Sequence, residues 1–359
     1  MKSPMLTTAF LAMLVAACSE GLTAPSDPAL ADAGGRPGTP IVVMTRNMYV
    51  GADVDRVIAA LAGASGEDPA DALAAAINQL YVTDLPTRVN ALADDIARLR
   101  PAAVALQEVS TISIPMITYG ADFLTALQQA LVARGLSYHP YSNLNFDFQN
   151  IAGMGIRLAD ADVLLIDSRV DVLQATHGTF TCPGLCLPSL PGIGDLTRGW
   201  VRVDARVAGK PVTFVGTHPE SGADPQLAQL RAGQMQELLG TLPAGNPVIL
   251  MGDLNDVPGS MMHQVLTGPG GFHDVWAEVR PGEDGFTCCY DSDLLGGSLV
   301  KRIDYVMVRG GFLDGTDRLV GGTRIGLVGD AASDRVTGPF GTIWPSDHAG
   351  VVVSLPPAR

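Results

Sequence analysis

Carboxylate, amide and imidazole side chains recur in this chain at the ends of apolar runs. Asn47 stands in Thr45-Arg46-Asn47-Met48, Glu108 in Leu106-Gln107-Glu108-Val109 and His218 in Gly216-Thr217-His218. Asp253 and Asn255 stand in Met251-Gly252-Asp253-Leu254-Asn255, Asp304 in Arg302-Ile303-Asp304-Tyr305, and Asp347 and His348 in Trp344-Pro345-Ser346-Asp347-His348. Groups of these types delivered at strand ends are what metal-assisted attack on phosphorus requires. Each stretch alone reads equally well as a polar turn, because Gly, Asp, Asn, Ser and Pro favour turns for local backbone reasons. The series, not any one member, carries the chemistry.

Taken singly, each residue has a chemical reading and a plainer one. Glu108 closes the apolar run Val104-Ala105-Leu106, where an unpaired carboxylate is costly. A cation such as Mg²⁺, which binds through few carboxylates and keeps several waters, would pair it; the alternative is a surface carboxylate capping a strand. Asp253 and Asn255 face the same side if their segment is extended, since side chains alternate with period two; the alternative is a type I turn. His348 opens an apolar strand and is a candidate base or transition-state donor, with Asp304 orienting its ring.

The elements that must position these groups are legible in the hydrophobic pattern. Strands are expected over 41–48, 103–109, 163–166, 170–176, 200–207, 212–216, 248–251, 303–308 and 349–355, and helices over 70–80, 86–100, 121–134 and 225–239. Val89, Leu92, Ile96 and Leu99 recur at spacings of three and four, one face of a helix. Pro101 stops that helix and Gly135 closes the next. Hairpin-like pairs, such as the strands around Gly209-Lys210, mixed with helices point to two packed sheets covered by helices.

In this order and over nearly the whole mature chain, the motifs resemble the endonuclease/exonuclease/phosphatase superfamily. The resemblance implies an α/β fold, a four-layer α/β/β/α sandwich of two packed, mostly antiparallel sheets flanked by helices. It implies a metal-dependent phosphoesterase acting on a phosphodiester of nucleic acid or phospholipid, with Mg²⁺, Mn²⁺ or Ca²⁺ held by Asn47, Glu108 and Asp347. It gives Asp253 the attacking water, Asn255 a phosphate oxygen, His348 oriented by Asp304 the role of base or transition-state donor, and His218 the protonation of the leaving oxygen. Arg198, Tyr138 and Asn143 are the expected substrate contacts, with Tyr141 beside them. The carboxylate that supports His218 has no clear match, and Asp147, Asp160 and Asp162 are the candidates. Pro219 departs from the bulky aliphatic expected after that histidine. Phe340, Ile343 and Trp344 form an apolar lip if exposed and plug the sandwich if buried.

The chain has 359 residues, 47% hydrophobic and 17% charged, enough to bury a large core. Lys2 ahead of an apolar run ending near Ala17 reads as an export signal over 1–17. Val15-Ala16-Ala17-Cys18 resembles a bacterial lipoprotein box, which implies a lipid on Cys18, a tether over 18–40 and a catalytic domain over 41–359, in an exported protein held at the cell envelope. Of five cysteines, Cys182, Cys186, Cys288 and Cys289 then remain, which outside the cytosol suggests disulfides, with a zinc cluster near His177 as the rival. The formal charge of −14 disfavours steering toward polyanions. No nucleophile elbow, P-loop or zinc-protease helix is present. The contrasting reading is a catalytically silent surface binding module on the same sandwich.

Overall fold

The structure, a computed structural model, describes residues 39–151, 153–181 and 194–358. The leader, Cys18, Cys182 and Cys186 lie outside the described residues, and so does any bridge to the last two. Among the described residues no helix is long and apolar enough to cross a membrane.

Two sheets form the centre. One takes its strands in the order Arg324–Val328, Gly350–Leu355, Ile41–Asn47, Ala103–Ile114, Ile156–Asp167 and Tyr138–Ile151, with Tyr119–Asp122 paired to Ala103–Ile114. The other runs His273–Asp274, Asp304–Arg309, Val248–Asp253, Lys210–Thr217, Gly199–Val207 and Asp171–Thr179. Each sheet is antiparallel except at one central pair: Ile41–Asn47 beside Ala103–Ile114, and Lys210–Thr217 beside Val248–Asp253.

Period-two alternation builds the layers. Ile41 and Val43 pack between the sheets while Val42 and Met44 face the helices of the first sheet. Ile249 and Met251 likewise point inward, and Val248 and Leu250 point out against Met235 and Leu238 of the helix Pro225–Thr241. Both faces of each central strand are therefore buried, which is why these strands read as continuous apolar runs. The helices Pro69–Val82, Leu85–Leu99 and Phe123–Ala133 cover the first sheet. Helix, sheet, sheet and helix make the four-layer sandwich expected from the sequence.

This topology decides where the polar strand ends meet. Parallel neighbours finish at the same edge, so Asn47 stands level with Gln107, and the strand ending at Thr217 stops beside the one ending at Asp253. The antiparallel neighbours start where those finish: Asp304 pairs with Asp253, and Val351 with Thr45. All six motifs thus collect at one rim of the sandwich.

Candidate active site

At that rim the strand Ala103–Ile114 breaks register between Leu106 and Val109, and Glu108 sits in the bulge with a left-handed backbone at φ +56°. Such a φ is uncommon for a residue other than glycine, costs on the order of 1 kcal/mol, and concentrates at functional positions. Here it turns the carboxylate out of the sheet. Asn47 Nδ2 donates to Glu108 Oε1 at 2.9 Å and to Asp253 Oδ2 at 3.2 Å, tying the two sheets' carboxylates to one amide. The Val50 amide donates to Glu108 Oε2 at 3.0 Å. Asn47 Oδ1 accepts from the Tyr49 amide at 2.8 Å, so the Asn47 amide positions the carboxylates from the side.

His348 Nδ1 lies 2.8 Å from Asp304 Oδ2. Asp304 is held in turn by its own amide and that of Ile303, both donating to Thr287 Oγ1 at 3.1 Å. Ser346 pins the loop that carries the histidine: its hydroxyl donates to the Asn47 carbonyl at 2.8 Å, joining residues 299 positions apart. Burial pushes the His348 imidazole down, but Asp304, Asp347 and Asp253 outweigh it, and the ring titrates well above its ordinary value. Burial lifts the Asp304 carboxyl, and the neighbouring imidazolium only partly offsets this. Asp347 is pushed up to about 6, first by burial and then, against the His348 charge, by Glu108 and Asp253.

His218 lies on the other side of Asp253. Its Nε2 is 3.6 Å from Asp253 Oδ2, and its Nδ1 is 3.6 Å from Asp162 Oδ1 and 3.2 Å from Arg198 Nη1. Burial and the Arg198 charge push this ring down, but Asp162 and Asp253 prevail, and its titration is raised. Asp253 is also lifted by burial, yet His348, His218 and the Asn255 and Asn47 donors leave it below its usual range. Gly252 makes the approach possible, because a Cβ there would overlap the Thr217 carbonyl oxygen.

Of the three carboxylates proposed to support His218, only Asp162 faces it. Asp147 pairs with Arg157 at the surface, and Asp160 accepts from Asn145 at 2.9 Å, its carboxyl pushed to about 6 by burial and then by Asp162. Arg198 joins the site, 3.5 Å from Glu220 as well as beside His218.

Three expectations do not survive. Tyr138 is turned from the cleft: its ring is buried in the core and its hydroxyl donates to the Pro101 carbonyl at 2.8 Å, where its strand begins beside Asp167 and away from the motifs. Asn143 is buried beneath the site, donating to Asn145 Oδ1 at 3.2 Å. Asp253 and Asn255 do not share a face of one extended segment. The strand stops at Asp253, Asn255 takes a left-handed turn at φ +54°, and its Nδ2 donates to the Pro219 carbonyl at 3.1 Å. An Asx turn, with the Asn255 amide on Asp253 Oδ1, replaces the continuing strand. Ile343 and Trp344 are buried, Trp344 stacked on Tyr290, so they plug the rim and only Phe340 is exposed.

A cleft of about 580 Å³ opens over the site. Glu108, Asp160, Arg198 and Asp347 form part of its lining, and the helix Val54–Leu61 supplies Val54, Asp55 and Ile58. This helix escaped the pattern reading. Its Asp55 side chain, solvent-exposed, joins the cleft lining as a further acid, its carboxyl raised by crowding and then by Glu108.

The donor set fits a hard divalent cation. Asp304 Oδ1 is buried with no hydrogen-bond partner, and Asp253, Asp304 and His348 bring ligand atoms within 4.8 Å of one another. Glu108 and Asp347, both carboxylates on the cleft wall, offer the oxygen ligands that Mg²⁺ prefers.

No curated protein matches this chain. Solved structures share the fold at low identity. An endonuclease/exonuclease/phosphatase family protein from Leptotrichia buccalis is 14% identical at TM-score 0.57, covering 88% of this chain and 99% of its own. The human Nocturnin catalytic domain is 15% identical at TM-score 0.56, covering 89% and 94%. Caenorhabditis elegans TDP2 is 17% identical at TM-score 0.53, covering 90% and 78%. The Endonuclease/Exonuclease/phosphatase family profile matches residues 47–348, from the first polar strand end to the last histidine. The chain therefore belongs to the endonuclease/exonuclease/phosphatase family.

Proposed function

We propose that this protein is a divalent-metal-dependent phosphodiesterase. The observation that carries the reading is the gathering of two imidazoles around one buried carboxylate: His348 Nδ1 and His218 Nε2 lie 3.8 and 3.6 Å from Asp253 Oδ2, with His348 hydrogen-bonded to Asp304 at 2.8 Å and Asp162 3.6 Å from His218. Glu108 and Asp347 would hold a Mg²⁺ ion, which would supply charge neutralisation on the phosphate. The protein's own groups do the rest. Asp253 orients a water for attack, its low titration keeping it ionised. His348, fixed through Nδ1, presents Nε2 to the phosphoryl group. His218, whose titration Asp162 and Asp253 raise against burial and the Arg198 charge, delivers a proton to the departing oxygen. Arg198 offers a guanidinium to a phosphate oxygen. Hydrolysis of bis(p-nitrophenyl) phosphate by the purified chain, with and without chelator, tests this; turnover without metal contradicts it.

The cleft favours a diester with an apolar flank, as in a phospholipid. Val54, Ile58, Phe146, Leu158 and Leu196 line it, and Arg198 is the single basic residue among its described lining. Asp53, Asp55, Asp160 and Glu220 line it too, a poor setting for a polyanion. Assays on phospholipid vesicles and on plasmid DNA separate the two substrates: faster vesicle hydrolysis supports this reading, and preferential DNA cleavage overturns it.

A further inference from the structure

His348 also belongs to a second group of donors. Cys288 and Cys289 open the strand Cys288–Tyr290, which lies against the loop bearing the histidine: Cys288 bridges to His348, and the Tyr290 amide donates to the Asp347 carbonyl at 2.9 Å. Cys288 is buried, Cys289 is half-buried, and their sulfurs touch. Cys289 Sγ lies 3.9 Å from His348 Nε2. Because Nδ1 is committed to Asp304, Nε2 is the nitrogen left for a ligand.

The three ligand atoms fall within 4.8 Å of one another. Around a tetrahedral ion with bonds of about 2.3 Å to sulfur and about 2.0 Å to nitrogen, donors stand roughly 3.5–3.8 Å apart; Cys289 Sγ and His348 Nε2 stand near that spacing at 3.9 Å, and the two sulfurs, in contact here, must move apart to reach it. Its softness separates it from the carboxylate site nearby, since thiolates select thiophilic ions and carboxylates select hard ones.

We propose that Cys288, Cys289 and His348 form a binding site for a thiophilic divalent cation such as Zn²⁺ or Cd²⁺, and that filling it blocks phosphodiester hydrolysis by occupying His348 Nε2. The binding stands on the geometry alone; the inhibition rests on the phosphodiesterase reading. Each cysteine binds as thiolate, releasing its proton to solvent as the metal–sulfur bond forms. Where the sulfurs are bonded to each other, a phosphine reductant first cleaves that bond. The two electrons of the phosphine pass to the sulfurs as their bond breaks; water then gives its oxygen to the phosphine oxide and one proton to each sulfur.

The full chain, reduced with a water-soluble phosphine and kept in excess Mg²⁺, is titrated with Cd²⁺. Binding is followed by thiolate-to-cadmium charge-transfer absorption and by equilibrium dialysis. The double variant Cys288→Ser, Cys289→Ser should bind one equivalent less than the parent and keep its Mg²⁺-dependent turnover in the presence of Cd²⁺, whereas the parent loses turnover as that equivalent binds. His348→Ala, which keeps both cysteines, should weaken the same equivalent about 10-fold or more. Unchanged Cd²⁺ stoichiometry in the double variant, or unchanged affinity in His348→Ala, overturns the site. Cd²⁺ binding as described in a chain that hydrolyses no diester supports the site while contradicting the phosphodiesterase reading.

Discussion

Asp304 and His348 stand 44 positions apart in sequence and 2.8 Å apart in space, the carboxylate engaging Nδ1 of the ring and leaving Nε2 as its other nitrogen. Asp304→Asn preserves the shape and removes the charge that orients and stabilises the imidazolium. Its kcat for a soluble diester should fall by about 10²–10⁴-fold, the range for a general acid–base contribution. KM should change little, and steady-state kinetics separates the two constants.

Asp162 should reveal itself through the leaving group. If it serves His218 as general acid, Asp162→Asn should slow an alkyl diester by about 10²-fold and spare the p-nitrophenyl diester, whose leaving group departs without a proton. Equal losses on both substrates would instead mark a role in binding or folding.

Asn47 joins Glu108 and Asp253 beside the proposed cation site. Asn47→Ala should weaken Mg²⁺ about 10–100-fold, as loss of an outer partner of a metal ligand does. Activity titrated against free Mg²⁺ should show a shifted midpoint with recoverable turnover at saturation.

Asp274 is buried in a bidentate pair with Arg302, at 3.0 and 2.8 Å, and also takes His263 at 3.1 Å. Burial lifts this carboxyl, but His263 and Arg302 outweigh it and hold it below its ordinary value. A depressed folded value means stability that is fully present above the unfolded value of about 3.9 and is lost as pH falls through the lower folded one. Asp274→Ala leaves Arg302 buried and uncompensated, a cost of about 3–5 kcal/mol. Denaturant unfolding should show that loss at neutral pH and a shallower acid decline than in the parent.

Ile58 tests the apolar wall of the cleft. Ile58→Asp should cut vesicle hydrolysis about 10-fold or more while sparing a soluble diester, the scale on which an apolar pocket discriminates.

The sheets were legible because central strands are buried on both faces and announce themselves as apolar runs, with the chemistry marking their ends. The partner of His218 was not, because Asp160 and Asp162 share a face by alternation, and only the packing of one sheet on the other turns Asp162 to the histidine. Tyr138 misled because a tyrosine at a strand end reads the same whether its hydroxyl meets substrate or a buried carbonyl. Asn255 misled because the strand yields to an Asx turn two residues early. The helix Val54–Leu61 was missed although its buried Val57 and Ala60 have helical spacing; it is short, and it follows a glycine-containing turn.

The account stands most directly on Glu108 and His348 serving one cation-dependent reaction. Hydrolysis of bis(p-nitrophenyl) phosphate should be abolished by chelator, restored by Mg²⁺ or Mn²⁺, and lost in both Glu108→Gln and His348→Ala while each variant keeps the parent's thermal unfolding. Metal-independent turnover, or full activity in either folded variant, would contradict it.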